Sequence, residues 1–204
     1  MGLKILFVTG GNYHNFYANT VKLISKIKEK CFDFELTDDL SHLNPEKLAK
    51  KDVVIFYALF NYLNSINKDS LLGFVEKGGN FLGLHSANAS FLNDEEYRKF
   101  IGSRFLFHPE KQRFKVSVSK MHFITLGLKN FEIFDELYVS DYDKNVNVLL
   151  EAEYKNDKIP ILYTRSYGLG KIVFFALGHD EDSVLNENFI EIFVRSLNWL
   201  GKKK

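Results

Sequence analysis

Four short strand-like runs in the N-terminal half constrain this fold most: Lys4–Thr9, Phe32–Thr37, Asp52–Tyr57 and Asn80–Leu84. Three of them are apolar almost throughout, and a strand of that kind must be covered on both faces. The intervening segments supply the cover. His14–Lys30 reads as a helix, with Phe16, Thr20, Leu23 and Ile27 on one stripe and Tyr17, Val21 and Ile24 beside it. Asn67–Lys77 reads as another, closed by Gly78-Gly79, the usual C-terminal glycine signal. This alternation predicts a parallel sheet with right-handed crossovers and ligands at the C-terminal strand ends. Thr9–His14, Thr37–Asp39, Ala58–Tyr62 and His85–Ala89 fall at those ends.

The second half changes character. Arg113–Val118, Phe131–Val139, Asn147–Tyr154, Ile159–Arg165 and Lys171–Leu177 are strand-like, and Tyr167-Gly168-Leu169-Gly170 turns the last two into a hairpin. A final amphipathic helix, Asn188–Leu200, places Phe189, Phe193, Leu197 and Leu200 on one face. No linker, repeat or low-complexity segment interrupts the chain. Residues 1–204 therefore read as a single α/β domain with a mostly parallel sheet and an antiparallel C-terminal extension.

Bulk properties narrow the function. The formal net charge of +1 gives no field that would recruit nucleic acid or a membrane. The tail Lys202-Lys203-Lys204 reads as a solvated terminus. The single cysteine, Cys31, excludes an intrachain disulfide and follows a charged helix end, a poor setting for a nucleophile. With no long apolar span, the expectation is a cytoplasmic protein.

The chemistry concentrates at Asn80-Phe81-Leu82-Gly83-Leu84-His85-Ser86. A buried strand stops abruptly there and a small-residue segment follows, as at an elbow that projects a reactive side chain into a cleft. Such positions usually hold Ser or Cys. Histidine can bind a metal, move a proton or donate a hydrogen bond, but seldom acts as an acyl nucleophile. His14, His108 and His179 also stand just after strands or turns. With His85 they form candidate ligands for zinc or a similar divalent ion, and His85, His108 and His179 are candidate acid–base groups. No short metal motif is present. Gly10-Gly11-Asn12-Tyr13-His14 opens a helix but lacks the lysine and third glycine of nucleotide loops, so no nucleotide cofactor is expected. Gly11, Asn12, His14, Ser86 and Asp180 are candidate substrate contacts, and Tyr13, Tyr57 and Tyr62 candidate stacking platforms. His122 reads as structural. Asp38 and Asp39 suit helix capping as well as ligand contact.

These motifs together resemble the trehalose-utilisation, or ThuA-like, family, whose fold is the three-layer, flavodoxin-like one of class I glutamine amidotransferases. The resemblance rests on Val8-Thr9-Gly10-Gly11 with His14, on Asp52–Tyr57, and most on Phe74–Ala87. Ile101-Gly102, His108-Pro109, Asp135-Glu136-Leu137-Tyr138, Tyr167–Lys171 and Leu177-Gly178-His179-Asp180 follow in order. The amidotransferase relatives carry a cysteine at the elbow, and here the residue is His85. Without the thiol the covalent glutaminase step is lost, so amidotransfer is not expected. The resemblance implies a small-molecule sugar partner, such as a trehalose-like disaccharide or keto-sugar, and no nucleic-acid or membrane partner. A homodimer is common for the fold. Two readings stay open: an enzyme using a metal or a histidine acid–base pair, and a non-catalytic sugar-binding protein using the same cleft.

Overall fold

The computed structural model describes residues 2–11, 13–27 and 32–202. The chain runs β1 (Leu3–Gly11), α1 (Phe16–Lys26), β2 (Phe32–Thr37), α2 (Pro45–Leu48), β3 (Val53–Leu59), α3 (Ser65–Glu76) and β4 (Asn80–Leu84). A short 3-10 turn, His85–Asn88, leads to α4 (Glu95–Ile101), β5 (Ser103–Phe107), β6 (Gln112–Val118), β7 (Phe131–Asp135) and β8 (Val139–Tyr142). β9 (Asn147–Tyr154), β10 (Asp157–Tyr167), β11 (Gly170–Phe175), α5 (Glu181–Val184) and α6 (Glu187–Leu200) complete it.

Nine strands form one sheet in the order β2-β1-β3-β4-β11-β10-β9-β6-β7. The pairs from β2 to β11 are parallel, and those from β11 to β7 are antiparallel. The chain starts at β1, steps outward to β2, then returns past β1 to β3. The C-terminal ends of β1 and β3 thus flank the point where the winding reverses, the usual ligand crevice of such sheets.

The apolar runs are buried because their alternate side chains enter two cores. Ile5 and Phe7 join Leu23, Phe189, Phe193 and Leu197 on the face covered by α1 and α6. Leu6 and Val8 join Leu71, Val75, Phe81 and Phe100 under α3 and α4. The result is the three-layer α/β arrangement expected from the sequence.

Three differences matter. The helix expected from His14 begins at Phe16, which leaves His14 in the preceding loop; its expected end at Lys30, like Cys31 and the last two lysines, lies outside the described residues. The strand expected over Phe131–Val139 breaks after Asp135 and resumes as β8, which pairs with β5 in a separate small sheet. α4 and β5 had no counterpart in the sequence reading. Asp94 caps α4 by accepting from the Glu96 and Tyr97 amides, and Gly102 ends it in the left-handed region.

Candidate metal centre

Four elements deliver side chains to one point. His14 comes from the loop after β1, His85 from the end of β4, Glu136 from the break after β7 and His179 from the segment after β11. One ligand atom from each lies within 4.8 Å of all the others. The rings of His14 and His179 are 4.7 Å apart between centroids, and those of His14 and His85 5.4 Å.

His85 sits at the elbow with φ of 45°, a backbone region that side chains other than glycine rarely adopt. Strain of this kind persists only where the surroundings impose it, and it clusters at functional sites. The ring is fully buried and lies 4.1 Å from the Tyr138 ring. Its Nδ1 is 3.0 Å from the Ala176 carbonyl oxygen. A carbonyl can only accept, so Nδ1 carries a proton, and in the neutral ring Nε2 keeps a lone pair. That lone pair faces Glu136 Oε2 at 3.5 Å. His179 Nδ1 approaches the same oxygen at 3.1 Å. None of these three buried atoms completes a hydrogen bond among the described residues.

The electrostatics favour a neutral His14 imidazole beside an ionised Glu136 carboxylate. Burial, with His85 and His179 close by, pulls the His14 imidazole down to about 4. Burial opposes ionisation of Glu136, but the nearby His179 and His85 imidazoles outweigh it and hold the carboxyl well below its usual range. The adjacent Glu136 carboxylate in turn raises His179, against the effect of burial.

Three imidazoles and a carboxylate suit zinc and neighbouring divalent ions. The donor atoms fit such an ion: they converge on one volume, and three of them complete no hydrogen bond among the described residues.

His108 stands outside this set. Its Nε2 lies 3.6 Å from the other oxygen of Glu136, Oε1, its Nδ1 donates to the Pro109 carbonyl, and its ring stacks on Tyr138. Glu136, which the sequence reading quoted among its motifs but gave no role, therefore lies between two histidine environments. The only signal for it was its place in Asp135-Glu136-Leu137-Tyr138, since a continuous strand would have pointed it along a sheet face.

Other expected contacts fall differently. Ser86 is fully buried and donates to the Ala58 carbonyl, so it is not free to touch substrate. Tyr57 is also fully buried; its hydroxyl donates to the Gly178 carbonyl and accepts from Asn19, which rules out stacking. Tyr13 and Tyr62 remain 70% and 75% exposed. Asp180 caps α5 and pairs with Lys111. Asn12 lies outside the described residues. Gly11 ends β1 at φ of 109°, where a Cβ would overlap the Leu59 carbonyl oxygen. Asp39 caps the turn that follows it. His122 Nδ1 accepts the Ile124 amide while its ring packs on Trp199.

A surface cavity of about 970 Å³ lies at the opposite, N-terminal end of the strands, beside Phe74, Gly78 and Leu169; no histidine lines it.

Fold and site together define a three-layer α/β protein with a histidine–carboxylate cluster beyond the C-terminal ends of its parallel strands. The chain belongs to the ThuA family, described as trehalose utilisation, which it matches over residues 4–200. A ThuA-like protein of Bacteroides uniformis superposes with a TM-score of 0.80 at 22% identity, covering 99% of this chain and 92% of that one. One from Parabacteroides merdae gives 0.86 at 18%, covering 100% and 93%. A β-galactosidase from Bacillus circulans sp. alkalophilus contains the same fold within a longer chain, with a TM-score of 0.65, 16% identity and coverage of 96% and 30%. At these identities the likeness shows the fold alone. No curated protein matches the sequence. No helix among the described residues is long and apolar enough to cross a membrane.

Proposed function

We propose that this protein acts on a trehalose-like disaccharide or keto-sugar at a divalent-metal centre held by His14, His85, Glu136 and His179. The observation that carries this reading is the convergence of three buried atoms, His85 Nε2, Glu136 Oε2 and His179 Nδ1, that complete no hydrogen bond among the described residues. Leaving such atoms unmatched in a folded interior costs about 1–3 kcal/mol each. A bound cation removes that cost. When bound it supplies Lewis-acid polarisation of a substrate oxygen.

The chain's own groups have separate tasks. His85 is fixed by Ala176 and Tyr138 and presents one nitrogen. Glu136 supplies the negative charge. His108, exposed at the rim and next to Glu136 Oε1, is placed to take or give a proton at a substrate carbon or oxygen. Tyr13, beside His14, offers an exposed ring at the rim for a sugar face. The sugar itself comes from the family, and the metal from the geometry.

The test is turnover of keto-sugars and disaccharides by protein loaded with zinc, manganese or iron, beside His85→Ala and a chelated sample. Turnover that needs both metal and His85 supports the enzyme. Sugar binding without turnover, retained in His85→Ala, supports instead a non-catalytic sugar-binding protein.

A further inference from the structure

Glu136 and His179 follow β7 and β11, and these strands are not neighbours: β10, β9 and β6 lie between them. The hydrogen-bond ladder of the sheet therefore does not set the spacing of the two ligands. A single side chain does. Asp135 is fully buried, and its carboxylate takes four donors. Oδ1 accepts the Glu136 amide at 2.8 Å and the His179 amide at 3.2 Å. Oδ2 accepts the Gly178 amide at 2.8 Å and the Ser183 hydroxyl at 2.5 Å. Gly178, at φ of 122°, turns its N–H and that of His179 toward this one carboxylate.

We infer that Asp135 is the positioning residue of the centre, a carboxylate clamp that holds the backbone of Glu136 and His179 at ligand spacing. Its consequence for metal affinity rests on the metal-centre reading above; its geometric role does not. Three of the four donors are backbone amides, which cannot reverse. An ionised carboxylate accepts from all of them. An asparagine of the same shape must turn an NH2 group toward either Gly178 or the Glu136 and His179 pair, donor against donor. Burying the charge is costly unless it is fully hydrogen-bonded, and here it is.

The experiment compares wild type, Asp135→Asn, Ser183→Ala and Leu197→Ala, the last a core truncation in α6 that lowers stability away from the site. Cobalt titration followed by visible absorption reads metal affinity. Ring-to-ring NOEs between His14 and His179, whose centroids are 4.7 Å apart, read in metal-free protein whether His179 keeps its place. Asp135→Asn is expected to weaken cobalt binding by on the order of 10- to 100-fold, as for other residues that orient ligands, and to lose the NOEs. Leu197→Ala is expected to keep both at reduced thermal stability. Should Asp135→Asn fail to fold, Ser183→Ala decides, since it removes one donor from the clamp and touches no ligand; a measurable fall in cobalt affinity or NOE intensity supports the clamp. Unchanged NOEs and affinity in a folded Asp135→Asn, or in Ser183→Ala where it alone folds, would overturn it. Wild-type protein that binds no cobalt would overturn the metal reading, and the NOEs would still decide the role of Asp135.

Discussion

His85 Nδ1 lies 3.0 Å from the Ala176 carbonyl oxygen, and that contact fixes where the opposite nitrogen points: toward Glu136 Oε2, lone pair against lone pair. Two acceptors at that separation repel unless a cation or proton lies between them.

Glu136→Gln is the sharpest change to the centre that preserves volume. It removes the one negative charge of the four-residue set and leaves the three imidazoles in place. Metal affinity, measured by competition with a chromophoric chelator, is expected to fall strongly while the fold, read by circular dichroism, stays intact. Unaltered affinity would remove Glu136 from the ligand set.

Tyr57→Phe tests whether that tyrosine serves the fold or the ligand. The hydroxyl joins Asn19 to the Gly178 carbonyl inside the core. Its loss leaves both unsatisfied, at an expected cost of about 1–3 kcal/mol. Chemical denaturation reads this, and sugar affinity should change only as far as His179 moves. A variant as stable as wild type would show that the two groups find other partners.

Gly11→Ala addresses the loop that carries His14. The new Cβ meets the Leu59 carbonyl where β1 pairs with β3, at a φ that alanine disfavours. A loss of roughly 1–3 kcal/mol is expected, together with weaker metal binding because His14 shifts. Wild-type stability would mean that the strand end relaxes freely.

Asp94 gives a pH-dependent prediction away from the centre. Burial opposes its ionisation, but the Tyr97 amide, Lys68 and the Glu96 amide together hold the carboxyl below its usual value. A depressed carboxyl contributes stability above its unfolded pKa of 3.8 and loses it as pH falls through the folded value. Asp94→Ala should therefore cost about 1 kcal/mol at neutral pH, as for other helix caps, and the gap from wild type should narrow in acid below pH about 4. A gap constant across that range would mean that the charge contributes nothing.

Much of this fold was legible because apolar runs report two-sided burial directly. β2 and β4 match their expected spans, and β1, β3 and α3 differ only at their ends. α4 was missed because it is short and its first turn, Glu95-Glu96, looks like a polar loop. The break after Asp135 was invisible because the apolar pattern runs on through Leu137, Tyr138 and Val139, whereas the hydrogen bonds that Asp135 accepts at the break come from Gly178, His179 and Ser183, far along the chain. The same blindness hid Glu136. Three histidines of the centre could be named because each follows a strand. Their convergence with a carboxylate from the far edge of the sheet depends on tertiary packing between strands far apart in the sheet order. Ser86 and Tyr57 misled for the opposite reason: polar groups near an elbow can be wholly spent on backbone partners.

The most direct test of the central claim is metal content, by elemental mass spectrometry on tag-free protein purified without chelator, beside His85→Ala. The account predicts near-stoichiometric zinc, manganese or iron in the wild type and its loss in a folded variant. Protein that arrives without metal, and takes up none when each ion is added back, would contradict it.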